Sequence, residues 1–378
     1  MWTGLLAALF FLGSVQNISA DCETASLTTA SGTHAPQGKI CSGDLIFEDT
    51  FDKFDLKKWA HELTLTGGGN WEFEWYLNNR TNSYTDNGVL HINPTLLADE
   101  TGNDYLYSGT LEIYGGSPAD SCTNAAQYGC SRTGTAENIL NPIKSARLRT
   151  VDSFSFMYGK VEVRAKVPAG DWLWPAIWLL PRWNQYSGWP VSGEIDMMES
   201  RGNRDLTNSA GLNIGSQQVG STLHFGPNYN YNRYMYTHYE QNNAAGYNAD
   251  FHNYQLEWTP DLIKFSIDDV VIGTVTPPEG GFWELGELDP TGLENPWKSG
   301  SKMAPFDEEF YIILNLAVGG VNYFPDDAIN GNGAKPWINS SPKAATDFWE
   351  GREQWLPTWN VGTDDSHLQV DYVRVWAL

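Results

Sequence analysis

Three carboxylates fall within six residues of the segment WPVSGEIDMMES (residues 189–200): Glu194, Asp196 and Glu199. Side chains alternate between the two faces of a β-strand, so Glu194 and Asp196 share one face and Glu199 points to the other. One extra residue, bulging at position 197 or 198, would return Glu199 to the face of its neighbours. The residues between the carboxylates are mostly apolar, and adjacent like charges are costly. The spacing therefore predicts a functional carboxylate cluster on a bulged strand.

Two carboxylates one strand-width apart match the separation of roughly 5 to 5.5 Å that retaining glycosidases use. In that scheme Glu194 attacks the anomeric carbon, and Glu199 acts first as acid and then as base. Asp196 holds protons in place between them, and its charge raises the pKa of the acid. A metal site is the rival interpretation, although the motif itself contains no His or Cys. On spacing alone, a structural or ionic cluster also remains open.

The composition narrows the classes of partner. The 378 residues include 46 acidic and 23 basic side chains, a formal net charge of −23, which excludes nucleic acid and anionic membranes as expected partners. Net charge also keeps a protein soluble, so most of these carboxylates need no other role. The chain contains 17 Trp, 18 Tyr and 16 Phe. Aromatic rings stack on the C–H faces of sugars, so this excess favours a carbohydrate ligand.

The elements that must position the carboxylates read as short strands with period-two alternation, separated by Gly, Pro, Asn and Asp clusters. A single short helix is predicted at 343–355. No linker divides the chain, so we expect one all-β domain, a two-sheet β-jelly-roll sandwich with a concave substrate cleft. The predicted strands are 45–47, 89–92, 110–114, 148–156, 161–167, 223–225, 254–258, 265–267, 310–316 and 368–376.

The N-terminal residues point to secretion. Residues 1–20 contain an apolar run that ends in small residues, typical of a cleaved signal peptide, and residues 21–43 form an N-terminal segment. An extracellular location permits disulfides, and the simplest pairing of the four cysteines is Cys22 with Cys41 and Cys122 with Cys130, one of three possible connectivities. The sequons at Asn79 and Asn339 fit a secreted glycoprotein.

The segment G-E-I-D-x-M-E (193–199), following W-P-A-I-W-L-L-P (174–181), resembles the signature of glycoside hydrolase family 16. The chain is similar to the laminarinase-like branch of that family, which includes animal β-1,3-glucan-binding relatives, from residue 44 to 376. The resemblance implies a catalytic domain at 44–378, a β-jelly roll and retention of configuration. It assigns nucleophile, assisting aspartate and acid/base to the three carboxylates in the order given above.

The resemblance also implies substrate contacts. Trp174 and Trp189 would stack on sugars near the cleaved bond. Arg147 and Asn70 would donate to sugar hydroxyls, and His224 would bond a sugar or the acid/base. The implied contacts are Asn70, Arg147, Trp174, Trp189, His224 and Asn315.

Family members often carry one calcium ion, here expected at the Asp371 side chain and at oxygens near Glu48 and Gly88. Its role would be structural, and no cofactor is expected for catalysis. The long Gly- and Asn-rich stretches at 100–140 and 320–340 depart from the common pattern, and loops of this length carry specificity.

Three functions are weighed. An endo-β-1,3-glucanase is favoured because both glutamates are present. A non-enzymatic β-1,3-glucan recognition protein of innate immunity is the alternative, since animal relatives on this fold bind glucan after losing one or both glutamates. Hydrolysis of mixed-linkage or β-1,4 glucan uses the same carboxylates. In each case we expect a monomer whose partner is a β-glucan.

Overall fold

Antiparallel β-strands dominate the computed structural model, which describes residue 22, residues 24–114 and residues 121–378. The signal peptide expected at 1–20 lies outside these described residues. The strands are β1 (Thr29–Ser31), β2 (Leu45–Asp49), β3 (Ala60–His61), β4 (Glu74–Tyr76), β5 (Ser83–Asp86), β6 (Val89–Ile92), β7 (Thr95–Leu96), β8 (Thr110–Glu112), β9 (Ser131–Thr133), β10 (Ile143–Ser145), β11 (Arg147–Arg149), β12 (Ser155–Met157), β13 (Gly159–Lys166), β14 (Leu173–Pro181), β15 (Glu194–Ser200), β16 (Leu206–Thr207), β17 (Gln218–His224), β18 (His238–Asn242), β19 (His252–Trp258), β20 (Ile263–Ile267), β21 (Val270–Val275), β22 (Phe310–Val318), β23 (Ile329–Asn330) and β24 (Leu368–Trp376). The α-helices are short: α1 (Ala98–Thr101), α2 (Asn103–Ser108), α3 (Gly281–Leu285), α4 (Ala344–Glu350) and α5 (Arg352–Trp355).

Two large sheets form the sandwich. The first has the strand order β1-β12-β22-β14-β15-β17-β18, with β11 also paired to β22 and β3 paired to β11. The second has the order β21-β20-β19-β13-β24-β6-β5, with β2 paired to β24. Alternate residues of the two sheets meet in one hydrophobic core, to which Ile177 and Leu314 contribute from the first sheet and Val163, Leu256 and Val373 from the second. The predicted two-sheet jelly roll is confirmed.

The prediction of a single helix at 343–355 is wrong in one respect, because the structure divides this segment into two helices. α4 ends at Glu350 and α5 begins at Arg352, with Gly351 between them. A Cβ atom at Gly351 would lie 2.5 Å from the Cβ of Pro336, so the glycine allows a close approach of a distant segment. The helical period alone carries no sign of that contact.

The strand predicted at 148–156 is also divided. β11 and β12 are separated by a tight turn in which the amides of Ser153 and Phe154 donate to the carbonyl of Thr150, at 3.0 and 2.8 Å. The turn lets β12 pair with β1 on one side and with β22 on the other. The apolar pattern continues through the turn because Phe154 is fully buried in the core.

The disulfides Cys22–Cys41 and Cys122–Cys130 are both present, which confirms the predicted pairing. In the N-terminal segment predicted at 21–43, β1 pairs with β12 and thereby forms an edge of the first sheet. None of the helices in the described ranges combines the length and the apolar character that crossing a membrane would require.

Two of the three residues expected to hold calcium, Glu48 and Asp371, already have cationic partners. The carboxylate of Asp371 is paired with the guanidinium of Arg164. The backbone carbonyl of Glu48 accepts a hydrogen bond of 2.6 Å from the ammonium group of Lys58. Two side-chain cations thus already contact oxygens that the ion would need. Calcium prefers six or more oxygen ligands.

Candidate active site

The bulge expected in the carboxylate strand is present in β15. Opposite β17, Asp196 pairs with Thr222 and Glu199 with Gly220, so three steps along β15 match two steps along β17. The register with β14 shifts at the same place and leaves Met197 as the extra residue. The bulge returns the third carboxylate to the face of the first two, in the middle of the first sheet.

An indole N–H group from outside the strand is directed at each of the two glutamates. Trp174 Nε1 donates to Glu199 Oε1 at 2.9 Å. Trp189 Nε1 donates to Glu194 Oε2 at 2.7 Å. An indole nitrogen can only donate, so each contacted oxygen acts as an acceptor. The two tryptophans, expected only as stacking platforms, therefore also orient the carboxylates.

His224 contacts the other two members of the cluster. It pairs in register with Glu194 across β15 and β17, and its Nε2 lies 3.2 Å from Asp196 Oδ2 and 3.9 Å from Glu194 Oε1. Its Nε2 therefore faces Asp196 and Glu194 and not Glu199, and the expected bond to a sugar stays a prediction. On the far side of the ring, Nδ1 lies 2.7 Å from the amide nitrogen of Asn232, which fixes the plane of the imidazole.

Burial and mutual repulsion control the charges here. Burial, with the charges of Glu194 and Glu199, raises the pKa of Asp196 well above its usual value. Burial also raises the pKa of Glu194, and repulsion from Glu199 adds to this, while His224 and the Trp189 donor oppose it. Although burial acts against it, the hydrogen bond to Asp196 and the charges of the carboxylates raise the pKa of His224 to about 10. The cluster thus retains protons at a pH where isolated carboxylates would lose them.

The same three groups could also hold a cation. Single ligand atoms of Glu194, Asp196 and His224 all lie within 4.8 Å of one another. His224 therefore supplies the imidazole that the motif itself lacks. The Trp189 N–H group bonds Glu194 Oε2 and leaves Oε1, the oxygen nearer His224, as the one that could bind a cation.

Arg147 and Asn315 lie in the same row of the sheet as Glu199, but their polar atoms meet protein partners. Asn315 accepts from Trp178 Nε1 at 2.6 Å and donates to the hydroxyl of Tyr76 at 3.2 Å. The guanidinium of Arg147 lies over the ring of Tyr76 at 4.5 Å. Only 8% and 2% of the surfaces of Arg147 and Asn315 are exposed, and the substrate contacts implied for them stay predictions.

Asn70 lies at one end of the face, in the glycine-rich turn that precedes β4. Its amide nitrogen donates to Glu72 Oε1 at 3.3 Å, and its oxygen accepts from Asn322 at 2.9 Å. The backbone groups of Asn70 also tie this turn to the segment after β22, where the amide of Val321 donates to the Asn70 carbonyl. Asn70 therefore connects two loops at the cleft end.

Sequence reasoning missed several aromatic residues around the carboxylates. The ring of Tyr323 stacks on Trp174 with centroids 4.0 Å apart, and the guanidinium of Arg201 covers the Tyr323 ring at 4.1 Å. The ring centroids of Tyr229 and Trp189 lie 5.7 Å apart, and 41% of the surface of Trp189 is exposed. Tyr323 belongs to the stretch 320–340, which the sequence marked as a specificity loop without naming a residue.

The sequence of the chain is similar to those of known proteins. The model of Glycosyl hydrolases family 16 matches residues 119–283, which contain the carboxylate strand. The chain is 50% identical over 341 residues to a β-1,3-glucan-binding protein of Penaeus monodon, covering 88% of this chain and 90% of that protein.

A more distant relative is β-1,3-glucan-binding protein 1 of Manduca sexta, 37% identical over 347 residues. That match covers 90% of this chain but 66% of the relative, so the chain spans just under two thirds of that protein's length. The laminarinase of Rhodothermus marinus superposes with a TM-score of 0.54 at 24% identity, covering 89% of this chain and 97% of that one. This last likeness shows a shared fold.

Proposed function

The chain belongs to glycosyl hydrolase family 16, and on that premise we propose that it cleaves β-1,3-glucan internally with retention of configuration. The observation that carries the proposal is the single face shared by Glu194, Asp196 and Glu199, with an indole donor on each glutamate. A groove floored by a central sheet strand suits a polymer that enters from the side. Trp174, Trp189 and His224 are the proposed substrate neighbours at the cut.

In the first step a carboxylate oxygen of Glu194 forms a bond to the anomeric carbon, while the bond from that carbon to the glycosidic oxygen breaks. The proton of Glu199 passes to the departing oxygen. Because Glu199 Oε1 accepts from Trp174, the proton is carried by Oε2. Asp196, with its raised pKa, supplies a proton that it shares with Glu194.

In the second step water attacks the anomeric carbon and the ester bond to Glu194 breaks. Glu199, now ionised, takes the proton from the attacking water and returns to its starting state. Two displacements at one carbon leave its configuration unchanged. No step needs a cofactor.

Recognition without cleavage is the second candidate function. It is favoured by the relatives in Penaeus monodon and Manduca sexta, both of which are called glucan-binding proteins. Against it stands the placement of three carboxylates side by side, Asp196 buried and Glu194 and Glu199 half-buried, which is costly and which a neutral sugar does not require. Both functions have the same ligand, β-1,3-glucan, and the two disulfides fit the proposed extracellular location.

Release of reducing sugar from laminarin tests the proposal. The wild-type protein is expected to release it, and Glu194→Gln is expected to lose at least about 10⁴-fold in rate because no nucleophile remains. Laminarin affinity, measured by calorimetry, should be retained in that variant. NMR of the first products should show the β-anomer.

Glu257→Gln is the matched control, since Glu257 lies on the second sheet and pairs with Lys264 at the surface. It should leave the rate unchanged. Binding of laminarin without release by either protein would favour recognition. Faster release from barley mixed-linkage glucan or carboxymethylcellulose than from laminarin would move the specificity to β-1,4 linkages.

A further inference from the structure

A second histidine and carboxylate cluster lies in the other sheet, away from the cleft. His91 is in β6, between Tyr84 on β5 and Gln369 on β24. Its neighbours in sequence, Leu90 and Ile92, belong to the hydrophobic core. Because side chains alternate along a strand, His91 projects from the opposite face of the sheet.

His367, just before β24, and Asp364, in the preceding turn, approach His91 on that face. His91 Nδ1 lies 3.3 Å from His367 Nδ1, and His367 Nδ1 lies 3.3 Å from Asp364 Oδ1. The two imidazole planes are inclined by 87°. The three ligand atoms all lie within 4.8 Å of one another.

These separations are those of metal ligands. Bonds of about 2.0–2.1 Å to a tetrahedral zinc ion place neighbouring ligand atoms about 3.3–3.4 Å apart. Two of the contacts in the cluster have this length, and His367 Nδ1 takes part in both. We propose that His91 Nδ1, His367 Nδ1 and Asp364 Oδ1 bind one zinc ion.

The donor set selects the kind of metal. Two imidazole nitrogens and one carboxylate suit zinc and similar transition metals, whereas calcium and magnesium prefer oxygen ligands only. Both rings are buried, with 4% of the surface of His91 and 6% of that of His367 exposed. Tyr84 stacks on His91 with parallel rings 5.0 Å apart and holds its plane.

Open space adjoins the cluster at Asp364 and His367. A cavity of about 660 Å³ adjoins the cluster, and its walls include Tyr84, Arg352, Trp359, Asp364 and His367. It offers both an entry path and room for a water molecule as the fourth ligand. The ion would join β6, the start of β24 and the loop between α5 and β24, segments that are distant in sequence.

Equilibrium dialysis of the metal-stripped full chain against Zn²⁺ tests the proposal. The wild-type protein is expected to retain one equivalent that millimolar Ca²⁺ does not displace, and Zn²⁺ should raise its Tm. His91→Phe and His367→Phe keep a ring in place and should retain none, with no Tm shift on adding Zn²⁺. Asp364→Asn, at an exposed position, should weaken binding at least about tenfold, because an amide is a poorer ligand than a carboxylate.

His252→Phe is the matched control, because His252 Nδ1 lies 2.7 Å from Asp268 Oδ2 in a pair without a second histidine. It should retain the equivalent. His224→Phe reports on the cleft, and it should retain the ion as well.

Retention of zinc by His91→Phe and His367→Phe, or its loss only in His224→Phe, would overturn the proposal. If circular dichroism shows that a ring variant does not fold, Asp364→Asn decides, and unchanged affinity there rejects the site. Laminarin hydrolysis plays no part in these measurements, so they stand apart from the proposed function.

Discussion

Two groups of acidic side chains, one on β15 and one around Arg147 of β11, differ in what balances their charge. On β15, Glu194 and Glu199 accept from neutral indoles. Around Arg147, three glutamates contributed by β3, β4 and the turns beside them, Glu62, Glu72 and Glu74, surround a permanent cation. One group is balanced by a guanidinium that cannot be deprotonated at ordinary pH, and the other is left to share protons.

Under the proposed function, this difference separates a structural role from a catalytic one. Burial raises the pKa of Glu74 to about 7, but Arg147 lowers it and the amide of Val318 donates to Glu74 Oε2 at 2.7 Å. Both contacts favour the charged form of Glu74, and they offset only part of the effect of its burial. On β15 the pKa values of Glu194 and Asp196 are also raised, and His224 is the cation that opposes the rise. Such an environment suits groups that gain and lose protons in a reaction.

The variant Glu199→Gln has the largest expected effect, a loss of hydrolysis rate, and it tests the contrast between the two groups of carboxylates. General acid catalysis contributes about 10²–10⁴-fold, so hydrolysis of laminarin should fall by that factor. Aryl β-laminaribiosides with good leaving groups need little protonation of the departing oxygen, so the formation of the glycosyl-enzyme should be nearly unchanged with them. The comparison is made by kcat/KM on the two substrates, with a burst of aryl alcohol marking the accumulated intermediate.

Equal losses on both substrates would mean that Glu199 does not act as the acid. A fall in the stability of Glu199→Gln comparable to that of an Arg147 variant would erase the contrast between the two groups. Unfolding in urea therefore accompanies the kinetics.

The sequence predicted the carboxylate cluster of β15 but not the glutamates around Arg147. Period-two alternation located β15, and the count from Glu194 to Glu199 required the bulge that the register shows at Met197. The partners of Arg147 come from other segments, and no local spacing brings Glu62 and Glu74 to it. The break at Gly351 was missed for the same reason, since Pro336 that packs on it is distant in sequence.

The next effect concerns Arg147, and it separates support from substrate contact. Arg147→Met leaves buried glutamates without their cation, which typically costs about 3–5 kcal/mol in the free energy of unfolding. Urea unfolding measures that cost, and laminarin affinity is measured on the folded protein. An exposed arginine, Arg204, which pairs with Asp365 at the surface, gives the control Arg204→Met with a loss of about 1 kcal/mol or less.

Unchanged stability with a lost laminarin affinity in Arg147→Met would instead restore the sugar-binding role implied by the family resemblance. Arg147→Lys refines the outcome. It keeps the charge but loses the planar fork, so it should recover part of the stability if charge balance is what Arg147 provides.

The smallest effect tests whether an indole donor tunes the proposed nucleophile. Glu194 must be ionised to attack, so its pKa sets the acid limb of kcat/KM against pH. Burial raises that pKa and the Trp189 hydrogen bond lowers it, so Trp189→Phe should move the acid limb to higher pH while keeping an aromatic ring in the cleft. The shift should be about one pH unit or less, the size of one hydrogen bond to a charged group. Trp183→Phe, an exposed tryptophan beside Arg182, should leave the limb in place. A uniform loss of rate at every pH in Trp189→Phe would show that the residue acts on the sugar alone, and the indoles would then no longer distinguish the β15 carboxylates from those around Arg147.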